Sequence, residues 1–397
     1  MLSAETLATI KSTAPVLAEH GKAITDLFYS KLFTQHPELQ HIFNMANQAR
    51  GDQSRALAES VFLYATHIDA LQNLAPMVRR IAHKHASLYV APEHYPIVGK
   101  YLLEAIQDHL SLPADHPVLK AWAEAYAQLA EIFINTEEQI YSSNAQKPGG
   151  WRGFRPFVIH AIEPEADGIK SIYLRAEDGQ PIADFEPGQY LGIKIRPPGH
   201  EYDEIRQYSL SNAPGEAYYR ITVKAENAPT KQKGQVSNHL HLAQPGEVVW
   251  VQPPTGDFTV KRPEQALVLI AGGVGITPLL SMLLHRIKTR EEVSDTVFIA
   301  CCRNKAHHVM ADELRRLSAQ HGFKYYVSYE TGNEGDHQGV LDQRVLSQWL
   351  RQPEADVYFC GPKPFMTALN TQLLDMGYAD SQLHYEVFGP ATRLPRQ

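Results

Sequence analysis

The residue with the clearest chemical potential is His85, in the stretch 81–95 (IAHKHASLYVAPEHY). Helical spacing groups it on one face with Val78, Ala82 and Tyr89, so its imidazole is predicted to point inward. Neutral imidazole is a good ligand for a metal ion. A core histidine hydrogen-bonded to a carbonyl group satisfies the same pattern, and the stretch alone leaves both interpretations open.

The neighbouring histidines are less well placed to bind a buried metal. His83 shares the predicted solvated side of the helix with Ser87, and His94 follows Pro92 in the segment that ends the helix. His85 is therefore the candidate metal ligand of this stretch.

A second candidate site is a glycine-rich turn. The apolar run 266–271 (ALVLIA) is typical of a buried parallel strand, and a helix is predicted from Leu279. Backbone N–H groups in such a turn can approach a pyrophosphate, although the spacing differs from the GxGxxG dinucleotide motif. The turn consists of Gly272, Gly273, Val274, Gly275, Ile276, Thr277 and Pro278.

Helices must position the histidine. Residues 1–143 show helical periodicity, with Ser3 as a predicted N-cap and a further helix opened by Gly51. Later helices are predicted near 97–110 and 116–141. The polar stretch 142–150 (SSNAQKPGG) then predicts a flexible linker that would let domains reorient.

Strands must position the glycine turn. Alternating periodicity predicts closely spaced strands typical of a small antiparallel barrel, at 157–162, 170–175, 190–195 and 218–224. Further strands alternate with helices, at 296–300, 325–329 and 356–360. In open α/β sheets the carboxyl ends of such strands line the ligand crevice.

Composition limits the class of protein. A chain of 397 residues accommodates two or three domains, and the net charge of −7 gives no nucleic-acid footprint. The N-terminus lacks the features of a signal peptide and no apolar run could span a membrane, which predicts a cytoplasmic protein. The three cysteines form no CxxC pair, and Cys301 and Cys302 are expected to pack at the end of a buried strand.

The helical region resembles the globin domain of the flavohaemoglobins. The resemblance rests on the order and spacing of Tyr29, Phe43, Gln53, Leu57 and His85. It implies that His85 is the proximal haem ligand and that Phe43 wedges the haem at a corner between two helices. The other three residues are expected to face the bound gas, where the Tyr29 hydroxyl can donate a hydrogen bond to O2.

The resemblance extends to the proximal side of the haem. It implies that Tyr95 and Glu137 hydrogen-bond there as a relay to His85. A carboxylate partner makes imidazole more electron-donating, which favours activation of O2 over simple carriage. Glu138 is an adjacent alternative, and Lys84 matches a position that in the family tunes the cofactor potentials.

The run Arg206, Gln207, Tyr208 and Ser209 resembles the RxYS motif of ferredoxin-NADP reductase-like flavoproteins. The resemblance implies that Arg206 binds the FAD pyrophosphate, Tyr208 packs against the isoalloxazine ring and Ser209 approaches its N5 atom. A guanidinium suits phosphate and a tyrosine plane suits a flat ring. Tyr190 matches another flavin-contacting tyrosine. A second pyrophosphate loop, with a helix expected after it, is matched by Gly234, Gln235, Val236 and Ser237.

The glycine turn resembles the GGxGxTP turn of the same family's NAD(P) domain, with Ile276 where a polar residue such as glutamine is expected. Arg303, after a strand end, could accept a 2′-phosphate, but the sequence does not distinguish NADH from NADPH. The nicotinamide-side turn is matched by Cys360, Gly361 and Pro362. The closing segment, which in the family covers the flavin, is matched by Glu386, Val387, Phe388, Gly389 and Pro390.

The resemblance implies a multidomain chain: an all-α globin domain (1–145), followed by a ferredoxin-NADP reductase-like module made of an antiparallel β-barrel that binds FAD (152–262) and an α/β parallel-sheet domain that binds NAD(P) (263–397). One haem b, one FAD and NAD(P)H as electron donor are expected. The implied activity is that of a monomeric nitric oxide dioxygenase, which converts NO and O2 to nitrate in nitric oxide detoxification and the nitrosative stress response. A haem/flavin reductase of broader acceptor range and a haem-based gas-binding protein are the alternatives.

Overall fold

The computed structural model describes residues 2–226 and 234–389. They form two compact units. The first contains the chain up to residue 146 together with 151–154 and 194–206, and the second contains 147–150, 155–193 and the chain from 207 onward. No helix in these described ranges has both the length and the hydropathy needed to cross a bilayer.

The first unit is built from helices, as the sequence predicts. They are α1 (Ala4–Gln35), α2 (Met45–Ala49), α3 (Asp52–Thr66), α4 (Ala75–Leu88), α5 (His94–His109) and α6 (Pro117–Gln146). Ser3 caps α1 by accepting a hydrogen bond from the Thr6 N–H at 3.0 Å. Gly51 precedes α3 with φ of +69°, a conformation that glycine adopts without strain. The predicted N-cap and the predicted helix start are therefore confirmed.

Helix α4 differs from its prediction at two residues. Ser87, expected on the solvated side, is fully buried, because its hydroxyl donates to the Lys84 carbonyl at 2.7 Å and so keeps a hydrogen bond inside the helix. Tyr89, expected on the inward face with His85, is the C-cap in the left-handed conformation (φ 58°), and 36% of it is exposed. The inward face of α4 thus ends at Leu88.

Helix α6 is longer than predicted. Residues 142–146, interpreted from their polarity as the start of a linker, continue the helix to Gln146. The Tyr141 hydroxyl donates to the Val90 carbonyl at 2.8 Å, and Ser142 donates to Glu138 at 2.7 Å. These contacts anchor the last turns, and Asn144 there is buried, so these polar residues belong to the helix rather than to a linker.

Close approach of α1 and α3 shapes the first unit. A Cβ added at Gly21 would lie 3.3 Å from the Ala58 Cβ, and the Thr25 hydroxyl donates to the Ser54 carbonyl at 2.9 Å. One turn further along α1 lies Tyr29, and one residue before Ser54 lies Gln53. The helix contact therefore fixes these two side chains against each other.

An antiparallel sheet follows, most of which lies in the second unit. Its strands are β1 (Arg155–Ala166), β2 (Ile169–Ala176), β3 (Tyr190–Ile195), β4 (Glu204–Ser209), β5 (Tyr219–Lys224) and β6 (Val248–Val251), and helix α7 spans Gln235–Leu242. Within the described chain the order is β4-β3-β6-β1-β2-β5. Leu210, next after β4, bridges to Ile221 in β5, so the two edges of the sheet meet as in the predicted barrel.

The rest of the second unit is a parallel sheet of order β10-β9-β8-β7-β11-β12. The strands are β7 (Leu267–Gly272), β8 (Thr296–Cys302), β9 (Lys324–Tyr329), β10 (His337–Gln338), β11 (Asp356–Cys360) and β12 (Leu383–Glu386). The helices are α8 (Ile276–Thr289), α9 (Ala311–His321), α10 (Gln343–Trp349) and α11 (Lys363–Asp375). Cys301 and Cys302 end β8, as predicted.

Both faces of the parallel sheet are covered, which explains why β7 is apolar throughout. Leu267 and Leu269 pack in the core with α8 and α9, whereas Val268 and Ile270 pack with α10 and α11. Every residue of β7 is buried. This confirms the interpretation of the run 266–271 as a buried parallel strand.

Candidate functional site

The structure brings His85, Glu137 and Tyr95 together. The His85 Nδ1 lies 2.6 Å from the Glu137 Oε1 and 3.2 Å from the Tyr95 hydroxyl. Tyr95 donates its hydroxyl proton to the same carboxylate oxygen at 2.5 Å. The side chain of Glu137 is 3% exposed and that of His85 is 31% exposed. The adjacent Glu138 faces elsewhere, so the structure distinguishes the two glutamates.

Three helices hold this cluster in place. Glu137 comes from α6, His85 from α4 and Tyr95 from the first turn of α5. The Tyr126 hydroxyl, also from α6, donates to the Tyr95 carbonyl at 2.7 Å. The Phe133 ring lies one turn before Glu137, with its centroid 5.5 Å from that of His85. The aromatic face of α6 therefore fixes both the ring plane of His85 and the position of Tyr95.

Electrostatics fix the proton on Tyr95. Burial raises the pKa of its phenol well above the usual value, and the negative charge of Glu137 raises that pKa further. Tyr95 therefore stays protonated and donates to the carboxylate. With this oxygen also accepting the His85 Nδ1–H, the ring nitrogen Nε2 is left as the basic atom of the imidazole.

A second cluster lies between α1 and α3. The Tyr29 ring is buried, with centroids 5.8 Å from both Phe33 and Phe43. Burial raises the pKa of the Tyr29 phenol, and a contact with the Gln53 side chain partly opposes this rise. Leu57, one turn after Gln53, packs half-buried against the same core. The three residues expected to face the gas, and Phe43, which is expected to wedge the haem, are thus brought together in the first unit.

These two clusters fit a haem group. Among the described residues, both hydrogen bonds to the His85 ring use Nδ1, so Nε2 is available to an iron ion. In the same described part of the chain, the Gln53 Oε1 is buried without a hydrogen-bond partner. A buried polar atom without a partner is costly, so a ligand at this position is a physical explanation for it. Lys84 is half-buried and its carbonyl accepts from Ser87.

The residues expected at FAD lie at adjoining strand ends. The Leu210 N–H donates to the Gln189 carbonyl at 2.9 Å, which puts Tyr190, the first residue of β3, beside Ser209, the last of β4. Ser209 is buried, and Gln207 and Tyr208 are partly buried in the same strand. The end of the RxYS run and Tyr190 thus meet at one place in the sheet.

Arg206 and the second pyrophosphate loop complete the expected FAD residues. The Arg206 Nη1 pairs with Glu204 at 2.8 Å, which uses one nitrogen of a five-donor guanidinium. Gly234 caps α7, where a Cβ would lie 2.5 Å from the Ser237 hydroxyl oxygen. The predicted helix after this loop is confirmed, and its first turn contains Gln235, Val236 and Ser237. Only a bare backbone fits there, as close approach of a phosphate requires.

The two turns expected at NAD(P) pack backbone against backbone. A Cβ at Gly275 would lie 2.3 Å from the Cys360 carbonyl oxygen, and one at Gly361 would lie 2.9 Å from the Gly272 Cα. The sequence patterns GGxGxTP and CGP therefore form one surface at the carboxyl ends of β7 and β11. That surface includes Gly273, Val274, Ile276, Thr277, Pro278 and Pro362.

Glu386 links the two expected cofactor regions. The Cys360 thiol lies 3.4 Å from the Glu386 carbonyl oxygen. Burial raises the pKa of Tyr190 and of Cys360, and the charge of Glu386 adds to both shifts. Tyr190 and Cys360 are therefore neutral at physiological pH and act as packing and hydrogen-bonding groups rather than as acid, base or thiolate.

The terminal segment follows β12. Val387 is partly buried against the core beside α11, and Phe388 is 48% exposed. Gly389 is the last described residue, and Pro390 lies outside the described residues. An exposed phenyl ring here is consistent with the expected place of Phe388 at the entrance for nicotinamide.

Sequence reasoning missed the aromatic support of the histidine. Phe133 and Tyr141 stand four residues before and after Glu137 in α6, and both are buried. The i, i+4 spacing of helical neighbours was the available signal, because these three residues must share one helix face. Arg152, two residues after the predicted linker, was also missed.

Three family models match the chain, in the order of the observed elements. The globin model matches residues 26–133, the oxidoreductase FAD-binding domain 165–260 and the oxidoreductase NAD-binding domain 269–371. The matched ranges contain His85 and Tyr95, the strands β2 to β6 and the glycine turn respectively.

Whole-length relatives show the same combination. A flavohemoprotein from Halalkalibacterium halodurans is 45% identical to this chain over 99% of this chain and 98% of its own length. A flavohemoprotein from Bacillus subtilis is 42% identical over 99% of this chain and 99% of its own length. A crystal structure of a flavohemoglobin from Malassezia yamatoensis with bound FAD and heme has a TM-score of 0.86 and 29% identity, covering 98% of this chain and 100% of that one. The FAD/NAD-binding domain of a nitric oxide dioxygenase from Vibrio cholerae is 37% identical over 60% of this chain and 100% of its own, with a TM-score of 0.57. With its histidine cluster, barrel and parallel sheet in this order, the chain belongs to the flavohemoprotein family.

Proposed function

We propose that this protein is a nitric oxide dioxygenase that converts NO and O2 to nitrate, with NAD(P)H as the electron source, and that it serves nitric oxide detoxification. Haem supplies a redox-active iron that takes up O2, and FAD divides a hydride into single electrons. One electron is consumed for each nitrate formed, so the activity needs a built-in supply of reducing equivalents. Cytoplasmic location and a monomeric state stay predictions from the sequence.

The observation that carries this proposal is the hydrogen bond between His85 and Glu137. A carboxylate 2.6 Å from Nδ1 gives the imidazole anionic character and increases electron donation from Nε2. Strong proximal donation favours reaction of O2, whereas a globin that only stores or carries oxygen does not require it. Tyr95 donates to the same carboxylate oxygen and so helps to hold it in place.

The second cluster supports the same conclusion. The Tyr29 hydroxyl is protonated at physiological pH because burial raises the pKa of the phenol. A protonated hydroxyl in a buried site can donate a hydrogen bond to a partly anionic ligand, and low polarity around it strengthens that bond. Gln53 beside it orients the hydroxyl. In this role Tyr29 retains the gas ligand and polarises it.

The two sheets of the second unit support the electron supply. The turns at Gly275 and Gly361 pack backbone against backbone and so form one glycine-rich surface at the carboxyl ends of the parallel strands, which is the edge where a dinucleotide would bind. Glu386 lies next to Cys360 in that region and is close enough to Tyr190 to raise the pKa of its phenol. We infer that these residues bring the nicotinamide-binding and flavin-binding surfaces together, which hydride transfer requires.

Rapid mixing of the reduced, O2-equilibrated holoprotein with nitric oxide tests the proposal. We expect stoichiometric nitrate together with a ferric haem spectrum, and repeated turnover when NADH is present. Slow or substoichiometric nitrate would contradict the proposal. A protein that binds O2 without forming nitrate would be a gas-binding protein, whereas rapid NADH oxidation by added acceptors, independent of nitric oxide, would indicate a reductase of broad acceptor range.

A further inference from the structure

The chain between the last globin helix and the first reductase strand is packed rather than free. Eight residues, 147–154, separate the end of α6 at Gln146 from the start of β1 at Arg155. Residues 147–150 belong to the second unit and 151–154 to the first. The predicted linker, 142–150, includes only the first half of this segment, and residues 151–154, which pack with the helices, lie outside it.

Arg152 makes the strongest contacts of the segment. Its Nη1 and Nη2 atoms each lie 2.7 Å from one carboxylate oxygen of Glu138, which is bidentate geometry. The guanidinium also lies over the Tyr141 ring, 4.9 Å from its centroid. The Ser142 hydroxyl donates to Glu138 and holds the carboxylate in its rotamer. Geometry of this kind separates an ordered ion pair from an ordinary surface one.

The next residue continues the contact with the globin helices, and the one after it contacts strand β3. Gly153 is buried with φ of +78°, and a Cβ there would lie 3.6 Å from the ring of Tyr89, the C-cap residue of the helix that carries His85. The Phe154 ring is covered by the Lys194 ammonium at 4.3 Å. Residues 152–154 thus each have a defined place in the first unit.

The length of chain between α6 and β1 shows why this contact matters. With residues 151–154 held in the first unit, β1 begins directly after the contact. Release of these residues would leave the eight residues 147–154, which reach about 26–29 Å when extended, as the connection between the globin helices and β1. A longer tether lowers the effective concentration of one module at the other.

We propose that Arg152 is a positioning residue that fastens the start of the reductase chain to Glu138 and Tyr141, and that this fastening sets the rate at which electrons pass from flavin to haem. The inference rests on the electron path proposed above. Arg152 takes no part in the chemistry itself. Its effect is on how often the two cofactor-bearing modules meet in a productive arrangement.

Anaerobic stopped-flow mixing of the holoprotein with NADH under carbon monoxide measures the two steps separately, because flavin and haem absorb at different wavelengths. Glu138→Gln breaks the bidentate ion pair but keeps Arg152. For this variant we expect flavin reduction at the wild-type rate and haem reduction slowed roughly threefold to tenfold. High salt should slow the wild type toward the variant, since a half-exposed ion pair is screened. Lys22→Ala, which removes another exposed ion pair of the first unit (Lys22 Nζ to Asp26 Oδ2, 2.6 Å), is the matched control and should change neither rate.

Two further measurements separate positioning from general damage. The reversed pair, Glu138→Arg with Arg152→Glu, should restore haem reduction. Trypsin should cleave after Arg152 several-fold faster in Glu138→Gln than in the wild type, a readout that needs no catalysis. If Glu138→Gln fails to retain haem or FAD, the same experiment is done with Arg152→Lys. This variant keeps the positive charge but cannot form the bidentate ion pair.

Unchanged haem reduction in a folded Glu138→Gln or Arg152→Lys protein would overturn the proposal, as would failure of the reversed pair to restore the rate. Nitric oxide is absent from this experiment, so its result is independent of whether nitrate is the product. If wild-type haem is not reduced by NADH at all, the proposed electron path is wrong, which is a different outcome from an ineffective Arg152 contact.

Discussion

Glu137 and Glu138 are sequence neighbours with opposite environments. Glu137 is buried against His85, whereas the side chain of Glu138 is 47% exposed and pairs with Arg152. The Arg152 guanidinium, aided by Ser142, lowers the pKa of Glu138 to about 2. Successive side chains point in different directions on a helix. The position of each glutamate along α6 therefore determines which of the two contacts His85.

Neutralising the buried glutamate should weaken donation from the imidazole. In Glu137→Gln a charge-assisted hydrogen bond to His85 becomes a neutral one. This change removes about 1–2 kcal/mol of stabilisation, mainly from the oxidised state of the haem iron. We expect the haem midpoint potential to rise by roughly 40–80 mV and the iron–histidine stretching frequency to fall. Potentiometry and resonance Raman spectroscopy measure these. Glu138→Gln is the adjacent control, and equal shifts in both variants would contradict a specific role for Glu137.

Removing the Tyr29 hydroxyl should release oxygen faster. Tyr29→Phe keeps the packing against Phe33 and Phe43 but loses one hydrogen bond to the ligand, worth about 1–1.5 kcal/mol. The rate of O2 dissociation from the reduced protein should therefore rise roughly fivefold to tenfold, as followed by ligand replacement with carbon monoxide. Phe33→Leu, which perturbs packing only, should have a smaller effect. An unchanged rate for Tyr29→Phe would remove its donor role.

At the scale of elements, the loop after β8 depends on a buried histidine. His308 is 3% exposed, and its two ring nitrogens lie 2.7 Å from the hydroxyls of Tyr329 and Tyr325, both in β9. Burial lowers the pKa of His308 to about 4, and the positive charge of Arg315 contributes. The neutral ring therefore ties this loop to the neighbouring strand.

This pKa predicts a loss of stability in acid. The unfolded histidine binds a proton near pH 6.5 and the folded one only near pH 4, so stability from His308 is fully present above about pH 6.5 and is lost as the pH falls toward 4. We expect the stability advantage of the wild type over His308→Gln to shrink by about 2–3 kcal/mol between pH 7.5 and 4.5. Denaturant unfolding followed by flavin fluorescence measures it. A difference that is constant across this range would contradict the buried neutral state.

Local patterns predicted most elements well, and their failures have a physical cause. The strand 356–360 has the predicted bounds, because a short apolar run between turns has few alternatives. The stretch 142–146 was wrongly predicted as linker, because Ser, Asn and Gln resemble loop composition. The contact that anchors this end of α6 to another part of the fold is the hydrogen bond from Tyr141 to the Val90 carbonyl. A tertiary partner of this kind leaves no periodic trace in the sequence.

The candidate site shows the same division. His85 and Glu137 were identified through the family resemblance, and helical spacing placed only His85. The contact of Gly275 with Cys360 was not predictable from either turn alone, since it joins two strands 85 residues apart in sequence. Resemblance supplies which residues matter, whereas only the fold shows that Glu137 and not Glu138 meets the ring.

At the scale of the whole molecule, the first unit includes a hairpin from the reductase region. Residues 194–206 end β3 and begin β4, yet they pack with the helices. The His41 Nδ1 accepts from the Asp203 N–H at 2.9 Å, and the Tyr202 ring meets the His41 ring edge-on at 5.1 Å. The stability of the helical unit therefore depends on strands that belong to the flavin-binding sheet.

Removing FAD should consequently destabilise the haem region. A ligand at a hundred times its dissociation constant contributes about 2.7 kcal/mol, and each kcal/mol shifts the melting midpoint of such a domain by roughly 2–4 °C. We expect the midpoint followed by haem absorbance to fall by several degrees on FAD removal. His41→Ala, which cuts the contact with Tyr202 and Asp203, should reduce this dependence. If the melting midpoint followed by haem absorbance is the same with and without FAD, the hairpin does not couple the stability of the haem region to FAD binding.

The hairpin also bears on how the protein is made. During synthesis the helices up to Gln146 leave the ribosome first, and residue 206 follows 60 residues later, a delay of roughly 3–12 s at ordinary elongation rates. The helical unit is thus finished only after the first strands of the flavin-binding sheet have been translated. A chain that terminates before residue 194 would lack the hairpin, and the surface around His41 would be exposed to solvent. Cellular quality control would then act against a globin unit that lacks its reductase.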